Sequence, residues 1–241
     1  MRVALMVTCL VDQFFAGAGA DAVRLLRSLG CEVVFPPGQT CCGQPAFNAG
    51  YRDEARRVAL HTLDVFEDAE AVVLPSGSCT AMVRLHYPEL FSGDEVNLQR
   101  AEALASRTYE LAEFLVKALK VERLGGGLRE KRVAYHHGCH ALRGLGLREE
   151  PLTLLKGAGA EVVEWPAAEE CCGFGGVFAV KFPEVSVAMA DRKLDTLPAA
   201  DFLTSADPGC LLHLKGRMAS RGFSLPVKHL AEVLWKARRE A

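Results

Sequence analysis

Nine cysteines in 241 residues include two adjacent pairs, Cys41-Cys42 and Cys171-Cys172, each followed by a glycine. An odd count with adjacent pairs suits a disulfide framework poorly; in a reducing compartment such clusters point to metal or redox chemistry. Eight of the nine fall into two sets of one spacing. Cys9 is followed after about 31 residues by Cys41-Cys42-Gly43 and after about 36 more by Cys79, and Cys139, Cys171-Cys172-Gly173 and Cys210 repeat that pattern. The ninth, Cys31, aligns with Ala160 and reads as a small buried apolar residue. Four thiolates per set suit an iron–sulfur cluster, one per repeat, or zinc at one or both sites. Adjacent cysteines of an extended strand point apart, and several metal vertices accommodate that better than one tetrahedral ion. Buried structural cysteines and a thiol–disulfide redox site are the competing readings.

Other chemistry-bearing residues cluster around the same sites. Gly43, Gly173, Gly175 and Gly176 permit positive φ and close backbone approach, so their amides are candidates to face a cluster. Gly173-Phe174-Gly175 lacks the remaining glycine of a dinucleotide loop. The run His136-His137-Gly138-Cys139-His140 has no histidine counterpart around Cys9, so the two sets are chemically unequal. His140 is the candidate for proton transfer or ligation and Arg143 for holding a carboxylate; His136 and His137 read as packing groups. Phe14, Phe15, Phe174, Phe178 and Phe182 read as core or interface residues, and the basic runs Arg217 to Arg221 and Lys236 to Arg239 as exposed helix faces.

The elements that must position these groups follow from an internal repeat at an offset near 130 residues. Arg2-Val3-Ala4 recurs as Arg132-Val133-Ala134, Gly30-x-Glu32-Val33-Val34 as Gly159-x-Glu161-Val162-Val163, and Leu111-Ala112-Glu113 as Leu230-Ala231-Glu232, in one order with the cysteine pairs. Two homologous halves, 1–124 and 130–241, are expected, linked around Gly125-Gly126-Gly127. In the first half, strands are expected over Val3 to Val7, Val33 to Phe35 and Ala71 to Leu74, with helices over Asp21 to Leu29 and Glu54 to Phe66. The second half repeats this with strands near Val133 to His136, Val162 to Trp165 and Phe202 to Thr204. Strand and helix in alternation imply an α/β fold, each half a small parallel sheet with crossover helices, and a pseudo-two-fold internal repeat. Each cysteine then falls in a loop just after a strand, at the sheet edge where such folds bind ligands.

Bulk composition is that of an ordinary globular chain, half apolar and with a net charge of −2. The charge balance gives no reason to expect nucleic acid as a partner, and no apolar run reaches the roughly 18 residues of a membrane span. The apolar run from Val3 to Val11 resembles a signal peptide only weakly, with a single Arg2 before it and Asp12 ending it, so a cytoplasmic protein is expected.

Val7-Thr8-Cys9-Leu10-Val11-Asp12, Cys41-Cys42-Gly43-Gln44-Pro45-Ala46, Ser76-Gly77-Ser78-Cys79-Thr80 and Cys171-Cys172-Gly173-Phe174-Gly175-Gly176 resemble the cysteine-rich CCG domain family. That family includes the cysteine-rich component of heterodisulfide reductase and the iron–sulfur subunits of glycolate oxidase and anaerobic glycerol-3-phosphate dehydrogenase. The resemblance, from Val3 to about Leu234, lies nearest its lactate-utilization members. It implies an iron–sulfur, electron-transferring subunit of a complex that oxidises a small 2-hydroxy acid, L-lactate to pyruvate, and so an oxidoreductase component. It carries the ligand role onto Cys9, Cys41, Cys42, Cys79, Cys139, Cys171, Cys172 and Cys210. The family pattern closes each half with Cys-x-x-Cys, but Ser76 and Asp207 hold the first of those positions here, where capping and turn roles are expected. No ferredoxin-type cysteine run is present, so the resemblance implies a ferredoxin-type iron–sulfur partner subunit. A zinc-binding assembly subunit and a heterodisulfide-reductase-like protein are the alternatives.

Overall fold

The computed structural model describes residues 1–239, which form two compact units, Met1–Leu111 and a second from Ala112 onward. In the first, β1 (Arg2–Leu5), β2 (Glu32–Val34), β3 (Val72–Leu74) and β4 (Thr108–Glu110) make one sheet in the order β2-β1-β3-β4, every pair parallel. The register sets Val3 beside Val33, Ala4 beside both Val34 and Val72, and Val73 beside Tyr109. In the second, β5 (Arg132–Tyr135), β6 (Glu161–Val162), β7 (Phe202–Ser205) and β8 (Val227–His229) repeat it in the order β6-β5-β7-β8. The chain leaves β1 to one side and returns on the other, so the carboxyl ends of β1 and β3, and of β5 and β7, flank a topological switch point.

β3 is buried at all three positions, as a central parallel strand covered on both faces must be, which is why it reads as a continuous apolar run. The crossover helix Ala16–Ser28 buries Ala18, Ala22, Leu25 and Leu26, one face of a 3.6-residue period, and ends before Gly30 at φ +85°. Apolar clusters fill the interior of each unit. Met6, Phe66, Leu74, Tyr87 and Phe91 pack in the first, with Cys42 and Cys79 among them; Trp165, Leu194, Leu203 and Leu214 pack in the second, with Cys172. Among the described residues no helix is long and apolar enough to cross a membrane.

The α/β class, the parallel sheets and the two similar halves are as expected. Three details differ. Each sheet has a fourth strand, β4 and β8, whose sequences Thr-Tyr-Glu and Val-Lys-His carry too little apolar pattern to announce one. β6 stops at Val162, and Trp165 instead turns into the core beyond the strand. Cys9, Cys79 and Cys210 lie in the first turns of helices Cys9–Phe14, Gly77–Ala81 and Pro208–Ser220 rather than in loops.

Candidate metal centres

The chain ends of the switch points bring the eight paired cysteines into two four-sulfur groups, one in each unit. In the first, Cys9 Sγ lies 3.7 Å from Cys41 Sγ, Cys41 contacts Cys42, and Cys42 contacts Cys79. The second repeats this chain of contacts through Cys139, Cys171, Cys172 and Cys210. Cys42, Cys79 and Cys172 are buried, while Cys9, Cys41, Cys139, Cys171 and Cys210 keep partial exposure. Cys31 is a buried thiol outside both groups, between the helix Ala16–Ser28 and β2.

Backbone geometry aims donors at the sulfurs. Gly43 (φ +84°) and Gly173 (φ +89°) turn the chain directly after each cysteine pair. The amides of Gly173 and Phe174 donate to Cys171 Sγ and Cys172 Sγ, each at 3.4 Å. Gly175 and Gly176 also have positive φ and lead into the helix Val177–Lys181. Cysteine S–H groups and amides converge on one sulfur per site. The hydrogen bonds from Cys42 and Cys9 hold the Cys41 thiol down to about 3, and those from Cys139 and Cys172 hold Cys171 down to about 2. Cys9, Cys42, Cys139 and Cys172 are pushed the other way, first because they donate to those thiolates and then by burial. Four sulfurs linked by successive contacts, one of them favoured as thiolate by the hydrogen bonds it accepts, match the donor set of an iron–sulfur or zinc–thiolate centre.

The surroundings of the two groups differ. In the first, Tyr87 is fully buried and donates to the Cys42 carbonyl at 3.0 Å, with Thr62 Oγ1 at 3.1 Å. A cleft of about 260 Å³ lined by Val7, Cys9, Asp12, Gln39, Thr40 and Cys41 opens beside it. A larger hollow of about 340 Å³ near Pro36, Pro37 and Asp64 contains no thiol. The second group is ringed by titratable residues. His136 is fully buried; its Nδ1 donates to the Ala168 carbonyl at 3.2 Å. Lys193 is also fully buried, donates to the carbonyls of Ala167, Ala168 and Glu170, and lies over the Trp165 ring. Burial lowers the Lys193 ammonium to about 8 and His137 to about 4.

Of the candidates for proton and carboxylate chemistry, His140 Nδ1 stands 3.7 Å from Cys139 Sγ, half-buried. Arg143 is exposed and donates to the Glu169 carbonyl at 3.4 Å. Ser76 caps the helix Gly77–Ala81 by accepting the Cys79 amide at 3.4 Å. Asp207 occupies the equivalent N-cap of Pro208–Ser220 without a side-chain capping bond; its carboxylate fills the space that a Cβ on Gly138 would need. Lys193 escaped the sequence reading, although Ser186, Ala190, Lys193 and Leu194 fall at helical spacing on the one buried face.

The family model for the cysteine-rich domain (CCG) matches residues 3–84 and 133–215. Lactate utilization protein A of Geobacillus sp. (strain WCH70) is 47% identical over 237 residues, covering 97% of this chain and 99% of its own length. That of Shouchella clausii (strain KSM-K16) is 48% identical over 97% and 98% of the two chains, and lactate utilization protein A 2 of Bacillus cereus (strain Q1) is 45% identical over 98% of each. A hypothetical protein from Helicobacter pylori, known from its crystal structure, superposes with a TM-score of 0.71 at 12% identity. It covers all of this chain, which spans about half of that structure (49%), and the likeness is one of fold. The chain belongs to the CCG cysteine-rich domain family, two such domains in tandem, as a relative of the lactate utilization A proteins.

Proposed function

We propose that the chain is the iron–sulfur subunit of an L-lactate-oxidising complex, with one cluster held by Cys9, Cys41, Cys42 and Cys79 and another by Cys139, Cys171, Cys172 and Cys210. The observation that carries the reading is the gathering of four thiols, twice, at the switch point of a parallel sheet. Such clusters supply one-electron transfer when bound. The buried Cys42, Cys79 and Cys172 sit in apolar cores that keep water from the sulfurs, while Cys9 and Cys41 reach the cleft by which a partner can approach. The amides of Gly173 and Phe174 and the Lys193 ammonium offset thiolate charge at the second site. His140 is placed to hold a proton at Nδ1 beside Cys139, and Arg143, at the same turn, to meet a carboxylate. With no ferredoxin-type cysteine run in the chain, electrons pass to or from another iron–sulfur subunit. Zinc at one or both sites is the second reading, with the added support at the second site that an imidazole nitrogen lies among the thiols.

The test is reduction by substrate. In anaerobic protein isolated with its partners, L-lactate should bleach the visible cluster absorbance. Bleaching by dithionite but by no 2-hydroxy acid would contradict the assignment. Loss of turnover in His140→Asn with cluster reduction by dithionite intact would assign substrate handling to this chain.

A further inference from the structure

His136 is the last residue before the turn that carries Cys139, where the repeat places Met6 in the first unit, and both side chains are buried. A carbonyl oxygen only accepts, so the bond to Ala168 puts the ring proton on Nδ1 and leaves the lone pair on Nε2. Nε2 is buried with no hydrogen-bond partner, an arrangement that is costly unless the atom has another use. A ring nitrogen of His136 and the sulfurs of Cys172 and Cys210 lie within 4.8 Å of one another, and Nε2 is the ring nitrogen left without a partner. Histidine ligands to metals characteristically donate their other N–H to a backbone carbonyl, which fixes the tautomer and aims the ring.

We infer that His136 Nε2 is a nitrogen ligand of the second metal centre, which makes that centre a mixed sulfur–nitrogen site while the first is all sulfur. The inference rests on metal occupying the cysteine groups. His136 would join the four thiolates as a neutral donor that adds no negative charge, and imidazole ligation goes with a higher reduction potential in iron–sulfur centres. The buried Lys193 ammonium acts in the same direction. The two centres of the chain are therefore set at different potentials, the second above the first.

The full chain, reconstituted anaerobically with ferrous iron and sulfide or with zinc, is measured by X-ray absorption at the edge of whichever metal it retains. The wild type should show imidazole scattering, which should be lost in His136→Met, the residue of the first site, and kept in His140→Asn. Sulfur-only scattering in the wild type, which needs no variant to fold, would overturn the inference while leaving the metal sites standing. Scattering that survives His136→Met, or vanishes in His140→Asn, would overturn it too. A chain that retains no metal at all would remove both this inference and the function proposed above.

Discussion

Lys193 Nζ lies 4.2 Å from the centre of the Trp165 ring, an ammonium fully buried against an indole in the core that holds Cys172. The ring face is a weak partner; the stronger ones are three carbonyls, of Ala167, Ala168 and Glu170, on the segment leading to Cys171. Lys193 thus ties the helix Pro183–Leu194 to the backbone that delivers the second cysteine pair.

Lys193→Met should destabilise the second unit by about 3 kcal/mol, because it strands several buried acceptors of a charged donor. The neighbouring Arg192 pairs with Glu170 at 3.2 Å but is 77% exposed, and Arg192→Met should change stability little. Denaturant unfolding of the metal-free chain distinguishes the two; equal effects would contradict the account.

Metal uptake should release protons. At neutral pH Cys9, Cys42, Cys139 and Cys172 keep theirs, so each site should expel at least two on filling, read by calorimetry in buffers of different ionisation heat. The sign of the stability effect follows. Cys41 and Cys171, lowered from 9.0, contribute stability that is full above that value and is lost as pH falls toward about 3 and about 2. The raised thiols contribute stability present below 9.0 and lost as pH climbs through their folded values. Ultraviolet absorbance of the reduced, metal-free chain should therefore show thiolate at neutral pH that Cys41→Ala/Cys171→Ala removes. Absence of that signal would contradict the hydrogen-bonding scheme.

Gly173→Ala and Gly176→Ala should separate steric demand from backbone preference. Both residues have positive φ, but a Cβ on Gly173 would meet the Ser186 carbonyl oxygen at 2.5 Å, whereas nothing lies within 4 Å of one on Gly176. The Gly176 change should cost about 2 kcal/mol from its backbone alone, since φ +61° with ψ −105° lies outside the left-handed helical well and suits glycine. The Gly173 change should cost clearly more and weaken metal retention at the second site, since the Gly173 amide donates to Cys171 Sγ. Similar thermal shifts for the two would count against this.

Removing thiols should act half by half. Cys79→Ala should abolish metal at the first site and leave the second filled, while Cys31→Ala should leave the metal content unchanged. Metal analysis of the two purified variants decides it.

The gathering of the cysteines was legible in the sequence because two features combine: matched spacing in two halves, and short β-rich runs alternating with helices, which bring strand ends to one edge. The fourth strands were not legible, since Thr108–Glu110 and Val227–His229 are held by their neighbours rather than by their own pattern. The sequence reads His136 as a packing group; its Nδ1 meets the Ala168 carbonyl, while its Nε2 is buried with no hydrogen-bond partner. The available signal was the repeat itself, which sets this histidine against the buried Met6. Lys193 escaped because a lone lysine in a helix ordinarily faces water, and only tertiary packing shows that this one does not.

The measurement that bears most directly on the central claim is iron, sulfide and zinc per chain, with a visible spectrum, in anaerobically purified and reconstituted protein. The account predicts a brown chain with iron and sulfide in matching amounts, divided between two sites. A colourless chain that retains only zinc, or no metal, after anaerobic reconstitution would contradict it.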